Sequence, residues 1–529
     1  MKKLILLYHT LKYLKQKQFT YRIYYALRNK FRKLAKHKYP VRTAPLSKKL
    51  KLIECKTFDI FNIYNNDAFT FIGITHKFQN NEVDWNYNHY GKLWNYNLTY
   101  FDFLQQKNMS QENGLKFIKN FINYNQPIRG KKMPFPISLR NINFIKFISK
   151  KNIKNKEIDS FLFHQYLVLM DNIEYHILGN HLLENSFSLL FGAYYFEDET
   201  LYAKAKEILI EQLEEQILND GAHFELTPMY HQIMLFRILD CINLIKSNQW
   251  KNQELLTLFI QKSEIMLGWL ETMTYNNGDI PLFNDSAKGI APTSRELFEY
   301  AKILDLKSNN ITLNASGYRK KENENYECII DVGNIGPDYI PGHAHSDTFN
   351  FELYVGNQPV IVDTGISTYE TNNTRTLERS TASHNTVEIN AKNQTQVWGG
   401  FRVAQRAKII EIKEEKNIIQ ASHDGYLQDG YLHKRTWKFL NKQIIIKDTI
   451  TSKNKKPYTA IAYLHFHPEI DVGIQNNQII TPFIKILLKE TINLSRESYN
   501  YSNSFNYKET ASLIKIPFNK ELTMEINII

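Results

Sequence analysis

Thr348-Phe349-Asn350-Phe351-Glu352-Leu353-Tyr354-Val355-Gly356-Asn357-Gln358-Pro359-Val360-Ile361-Val362-Asp363 is the stretch that sets the fold class. Phe349, Phe351, Leu353 and Val355 alternate with Thr348, Asn350, Glu352 and Tyr354, the period of a strand with one apolar face. Gly356-Asn357 supplies a turn, and Val360-Ile361-Val362 predicts the returning strand. Upstream the period is different. From about Asp84 to Lys307 apolar residues recur at spacings of three and four, as in Leu182, Leu183, Phe187 and Leu190, which predicts helices. Thr227-Pro228 reads as an N-cap followed by proline at the first helical position, with Asp285-Ser286 and Thr293-Ser294 as looser helix starts. Downstream of about Asn309, short strands are expected at Arg406–Ile412, Ile418–Ser422, Thr436–Leu440, Gln443–Lys447, Ala460–His465 and Ile514–Pro517. Asn493–Tyr507, rich in Asn, Ser and Tyr, reads as a loop. The chain thus divides into a helical half and a β half.

The 529 residues are 43% hydrophobic and 23% charged, ordinary for a folded chain, and 13% aromatic, too many for disorder. The formal charge of +12 makes a polyanion a natural partner. Cys55, Cys241 and Cys328 are too few and too scattered for a disulfide framework or a cysteine metal knuckle. No apolar run is long enough for a membrane-spanning helix. Met1–Thr10 is a basic flank with a short apolar run and no small-residue cleavage site, which favours a cytoplasmic or membrane-peripheral location, periplasmic if the chain is exported. Thr10–Lys38 is basic and aromatic. A solvated amphipathic helix is the plain expectation there, with peripheral membrane contact as the alternative.

Four clusters could carry chemistry. In Pro341-Gly342-His343-Ala344-His345-Ser346-Asp347, alternation puts His343 and His345 on one face. Asp363 ends the returning strand and His384 follows. Two imidazoles, a carboxylate and water would satisfy tetrahedral zinc, while hydrogen-bonded histidines at a sheet rim are the alternative. In Gly221–His231, Tyr230 falls on the first turn of a helix, whose positive end favours a phenolate. In Gly179-Asn180-His181, amide and imidazole interrupt an apolar helix and must face a cleft or buried partners. Leu93–Asp102, with Trp94 and Asn97, mixes rings with amides as a sugar groove or an amphipathic core helix would, and Arg140 adds a cation near it.

The order of Leu93-Trp94-Asn95-Tyr96-Asn97, Ser138-Leu139-Arg140, Gly179-Asn180-His181-Leu182, Thr227-Pro228-Met229-Tyr230-His231, Gly342-His343-Ala344-His345-Ser346-Asp347, Val362-Asp363-Thr364-Gly365 and Val397-Trp398-Gly399-Gly400-Phe401 resembles the heparinase II/III-like polysaccharide lyases. That resemblance implies an α+β multidomain chain: an incomplete (α/α) toroid at 84–308, an antiparallel β-sandwich at 309–529, and a basic segment, 1–83, packed on the toroid. It implies β-elimination on a uronic-acid-containing glycan in the cleft between the two domains. Asn180 is then expected to neutralise the substrate carboxylate, with Tyr230 and His343 as the proton-transfer groups. Trp94, Asn97, Arg140, His181, Glu225, His231 and Trp398 become substrate-contacting candidates. His345, Asp363 and His384 become ligands of a mainly structural zinc, with no organic cofactor. The expected partner is an acidic polysaccharide, not nucleic acid. Leu6–Lys33 resembles members associated with surface-polysaccharide synthesis. A hydrolase would need two carboxylates flanking the bond, for which Glu225, Asp285 and Asp347 are candidates. A non-catalytic glycan-handling protein would keep the groove without needing Tyr230.

Overall fold

A computed structural model describes all residues except 1, 41, 56–57, 59–60, 80–81, 125, 129, 131, 252, 454–456 and 490–492. Two helices lead the chain, α1 (Lys2–Leu11) and α2 (Gln16–Leu34), followed by a three-stranded sheet of Ile63–Asn65, Ala68–Phe71 and Ile74–Lys77. Nothing in the sequence pattern announced that sheet. Its Phe69 and Phe71 are buried against Trp94 and Phe103 of the helical half.

The helical half then runs α3 (Lys92–Tyr100), α4 (Gln111–Ile122), α5 (Pro134–Lys150), α6 (Lys156–Asp171), α7 (Gly179–Phe196), α8 (Glu199–Gln216), α9 (Pro228–Ser247), α10 (Gln253–Met273) and α11 (Ser294–Ile303). Caps define several starts. Ser110 accepts from the Asn113 N–H at α4, Asn155 and Asp198 each accept two amides at α6 and α8, and Thr293 forms a capping box with Glu296 at α11. Thr227-Pro228 opens α9 as expected, whereas Asp285-Ser286 lies in an extended loop and starts no helix. Every residue of α7 except His181 is buried, so α7 is an inner helix of the ring.

In the β half, one layer is the eight-stranded antiparallel sheet containing Tyr431–Phe439, Gln443–Ser452 and Glu521–Ile528. The facing layer joins two four-stranded sheets. One holds Tyr318–Glu322, Tyr326–Asp331, Phe351–Val355 and Gln358–Ile361; the other holds Ser495–Tyr501, Glu509–Phe518, Ala460–His465 and Val387–Ile389. A bridge between Ile361 and Phe466 makes them continuous. Phe351, Leu353, Val387, Leu464, Trp437, Ile446 and Met524 fill the space between the layers. The hairpin about Gly356-Asn357 forms, but Phe351–Val355 is buried on both faces, because its second face meets the toroid. There Tyr354 stacks on Tyr275 at 3.7 Å, and Glu352 accepts from the Tyr275 hydroxyl and the Leu282 N–H. Ser495–Tyr501 is an edge strand and not a loop; its side chains are mostly solvated, which hid its period.

The basic segment packs on more than the toroid. Arg32 pairs with Asp171, and Tyr25 donates to the Ile173 carbonyl, but Thr10 donates to the Val403 carbonyl of the β half. Gln18, buried, donates from one amide to the carbonyls of Ile177 and Tyr339, one in each half. Residues 2–34 are therefore a strap across both domains.

The sandwich is also tied by a buried ion cluster. Asp448 accepts from Arg435 Nε and Nη2 at 2.7 and 2.8 Å and from His433 Nε2 at 2.7 Å. Burial alone would raise its carboxyl, but Arg435 and His433 outweigh burial and hold it at about 2. A depressed folded value gives stability present above the unfolded value and lost as pH falls through the folded one. Denaturant unfolding should therefore lose about 2–3 kcal/mol between about pH 5 and pH 1. Asp448→Asn should flatten that fall while lowering stability at neutral pH by about 3–5 kcal/mol.

Candidate active site

The loop after α10 carries Asn284 and Asp285 from the toroid into the β half. Asn284 Oδ1 accepts the His345 N–H at 2.9 Å, and its amide donates to the Leu226 carbonyl. Asp285 has no exposure and takes four bonds. His343 Nδ1 donates to Oδ2 at 2.8 Å, His345 Nε2 donates to Oδ1 at 2.8 Å, and Arg375 of a short helix, α12 (Asn373–Glu378), grips both oxygens. Burial works against the Asp285 charge, yet Arg375 and the two imidazoles hold its carboxyl well below the usual range. An ionised carboxylate only accepts, so His343 holds a proton on Nδ1, and in the neutral ring the lone pair lies on Nε2.

That ring lies 4.0 Å from the ring of Tyr230, tilted by 31°, on the first turn of α9. Tyr230 Oη is 3.3 Å from Tyr369 Oη. Burial raises the Tyr230 phenol, with Asp285 and Glu225 adding to the rise. The expected lowering by the helix N-terminus does not hold, since a half charge at a helix end is a small effect beside full desolvation. Tyr230 rests as a phenol.

Asn180 sits at the start of α7 after two residues in the left-handed half of backbone space, Leu178 (φ 68°) and Gly179 (φ 60°). Its N–H donates to Glu225 Oε1 at 3.3 Å. Its side-chain amide makes no hydrogen bond to a described residue and lines a cavity of about 880 Å³. Tyr230, Tyr369, Asn97 and Arg237 line the same cavity. Glu225 is buried, with Oε2 3.6 Å from His343 Nε2 and without a hydrogen-bond partner. Burial pushes its carboxyl up. His181 is half-buried beside Asn180; it contacts Glu174 Oε1 at 3.1 Å and lies 4.4 Å from the Phe135 ring. Burial opposes its charge, but Glu174 outweighs this and raises it.

Four substrate-contacting candidates lie elsewhere. Trp94 is fully buried and donates to the Ile74 carbonyl. Arg140 is fully buried and spends its guanidinium on Gln165 and the carbonyls of Gly130 and Thr99. His231 is fixed between the His223 N–H and the Met266 carbonyl, under Trp269. Trp398 donates to Thr10 of the strap. In each case the polar tip has a structural partner; Trp94, Arg140 and His231 are buried, whereas Trp398 keeps a half-exposed ring. Arg375, Tyr369, Glu184 and Arg237 were not singled out from the sequence. Glu184 and Arg237 pair at 3.0 Å in the cavity wall.

His345, Asp363 and His384 are together and fully buried. His384 Nδ1 donates to Asp363 Oδ2 at 2.8 Å, and the rings of His345 and His384 are 5.3 Å apart. Their remaining nitrogens, His345 Nδ1 and His384 Nε2, are buried without partners, as is Asp347 Oδ2. Among the described residues, no group of three or more His, Cys, Asp or Glu is arranged as a ready ligand set. The donor chemistry nevertheless suits a divalent cation: two unpartnered imidazole nitrogens, each opposite a ring nitrogen held by a carboxylate.

A model of the heparinase II/III N-terminus matches residues 135–310, and one of the heparinase II/III-like C-terminal domain matches residues 307–527. The chain belongs to the heparinase II/III-like family. A heparin-sulfate lyase of Bacteroides stercoris is 23% identical over 328 residues, covering 55% of this chain and 46% of that protein. A heparin-sulfate lyase of Bacteroides thetaiotaomicron is 22% identical over 282 residues, covering 45% and 39%. The matches thus span less than half the length of these curated relatives. A crystal structure of heparinase III superposes with a TM-score of 0.66 at 18% identity over 97% of this chain and 90% of that one. A heparan sulfate lyase mutant from Pedobacter heparinus gives 0.59 at 15% over 87% and 81%. At these identities the structures bear on the fold, and they establish the toroid followed by a β-sandwich for this heparinase II/III-like chain.

Asp285→Asn removes the charge that neutralises buried Arg375. It should lower unfolding free energy by about 3–5 kcal/mol, read by denaturant titration. Loss below about 1 kcal/mol would mean that the cluster does not hold the two domains.

Proposed function

We propose that this protein is a polysaccharide lyase that cleaves a uronic-acid-containing glycan by β-elimination in the cleft between toroid and sandwich. The observation that carries this reading is the close Tyr230–His343 ring contact, with the unpartnered Asn180 amide in the cavity that Tyr230 also lines. The heparin-sulfate lyases among the relatives support the same reaction class.

Elimination needs three things. The C5 proton of a uronate becomes removable when its carboxylate is neutralised by a donor, and the Asn180 amide supplies one. A base must then take that proton, and His343 Nε2, its tautomer fixed by Asp285, has the free lone pair. An acid must protonate the departing oxygen, and Tyr230 rests as the phenol. In the step, the C5–H pair forms the C4–C5 double bond, the C4–O bond breaks, and the Tyr230 proton goes to the leaving oxygen. A hydrolase would need a second free carboxylate; Asp285 is consumed by Arg375 and two histidines, and Asp347 is buried and is not among the residues lining the cavity.

Tyr230→Phe removes one hydroxyl and should leave circular dichroism unchanged while turnover falls by at least about a hundredfold. The assay is ultraviolet absorbance of the unsaturated product, over a panel of uronate polysaccharides. Turnover near that of the wild type would take Tyr230 out of the mechanism.

We also propose a zinc ion at His345 and His384, supported by their two unpartnered ring nitrogens; Asp363, the third expected ligand, holds the far nitrogen of His384 and would orient that ring from behind. The ion would supply fixed charge that holds the sandwich loops. Metal analysis should find about one zinc per chain. Chelation should lower the thermal midpoint, and His384→Ala should abolish binding. Protein free of zinc, with a midpoint indifferent to chelator, would refute the site.

A further inference from the structure

The most apolar exposed surface lies outside the cleft. Among the described residues, ten of the 24 exposed large apolar side chains fall in α1 and α2. Along α2, Phe19, Ile23, Leu27, Phe31 and Leu34 are 44%, 58%, 65%, 70% and 76% exposed. Steps of four and three place them on one face. The opposite face is already used. Gln18, Tyr25 and Arg28 donate to the toroid's carbonyls, and Tyr21 packs on Tyr175 at 4.6 Å. The helix therefore has no freedom to roll its stripe inward.

Charge is concentrated on the same segment. Residues 1–40 hold twelve Lys and Arg and no Asp or Glu, which is the whole formal excess of +12; the rest of the chain is balanced. Some of these cations are neutralised within the protein: Arg28 and Arg32 by Asp171, Lys15 by Glu215 and Lys17 by Glu211. Lys30, Lys33, Lys36 and Lys38 are exposed, with no acidic partner among the described residues. A polyanionic glycan would answer the lysines and leave the stripe in water. An anionic bilayer answers both, with apolar side chains at the acyl boundary and lysines at the headgroups. We propose that α1 and α2 are an interfacial anchor that seats the protein on an anionic lipid surface, with α2 lying in its plane.

The test is sedimentation of the full chain with vesicles of phosphatidylcholine, with and without about one-third phosphatidylglycerol. Expected is binding to the anionic vesicles only, weakened at least about tenfold by Leu27→Glu with Phe31→Glu, and about tenfold by Lys30→Gln with Lys33→Gln or by high salt. All four positions are exposed, so both double variants should keep the wild-type thermal midpoint and soluble-substrate turnover. Failure to bind anionic vesicles would overturn the proposal, as would unchanged binding of the Glu double variant. Self-association that the Glu variant abolishes, without vesicle binding, would assign the face to a second copy of the chain instead.

Discussion

The cleft depends on one buried carboxylate. Asp285 leaves the toroid on a loop, and its partners His343, His345 and Arg375 all belong to the β half. Taking this charge out of water is costly, and only close contact with a guanidinium and two imidazole donors offsets the cost. The domain interface is thus set by an electrostatic requirement, to which the Tyr275–Tyr354 stack adds apolar contact. The same contact fixes which nitrogen of His343 is turned toward Asp285 and which toward Glu225. Domain docking and proton chemistry are specified by the same bonds.

The change of hydrophobic period made the division into helices and strands readable, and the hairpin about Gly356-Asn357 was legible residue by residue. Asn180, Tyr230 and His343 were found by motif order and converge on one site. What was not legible is partner choice. Trp94 and Asn97 lie in one helix of rings and amides, yet the first is core and the second lines the cavity; composition cannot tell which face turns inward. Arg140 and His231 looked available because charge and imidazole suggest ligands, but buried carbonyls satisfy them. Asp285 read as a helix start because Asp-Ser caps helices, a local signal overridden by its distant partners. Arg375 and Tyr369 sit in a stretch with no periodicity at all.

Backbone strain gathers around the same residues. Leu178 (φ 68°), Leu226 (φ 53°) and Phe349 (φ 72°) are non-glycine residues in left-handed space, just before Asn180, just after Glu225 and just after Asp347. Such conformations cost about 1–3 kcal/mol each and persist where surrounding structure dictates them. Here the dictating contacts are the carbonyl of Leu226, which accepts from Asn284 and Tyr318, and the N–H of Phe349, which donates to the Asp331 carbonyl. Strain and the cleft's polar groups share one network.

The strap has a bearing on the order in which the molecule assembles. Its residues emerge from the ribosome before any of their anchors: Gln18 waits for Ile177 and Tyr339, and Thr10 waits for Val403. Contacts this far apart in sequence close late, because the intervening chain must first be ordered. Until then a basic helix with an apolar stripe is loose on a growing chain. Seating of Gln18 between the two carbonyls is therefore a late folding event, and it registers that toroid and sandwich have both formed and met correctly.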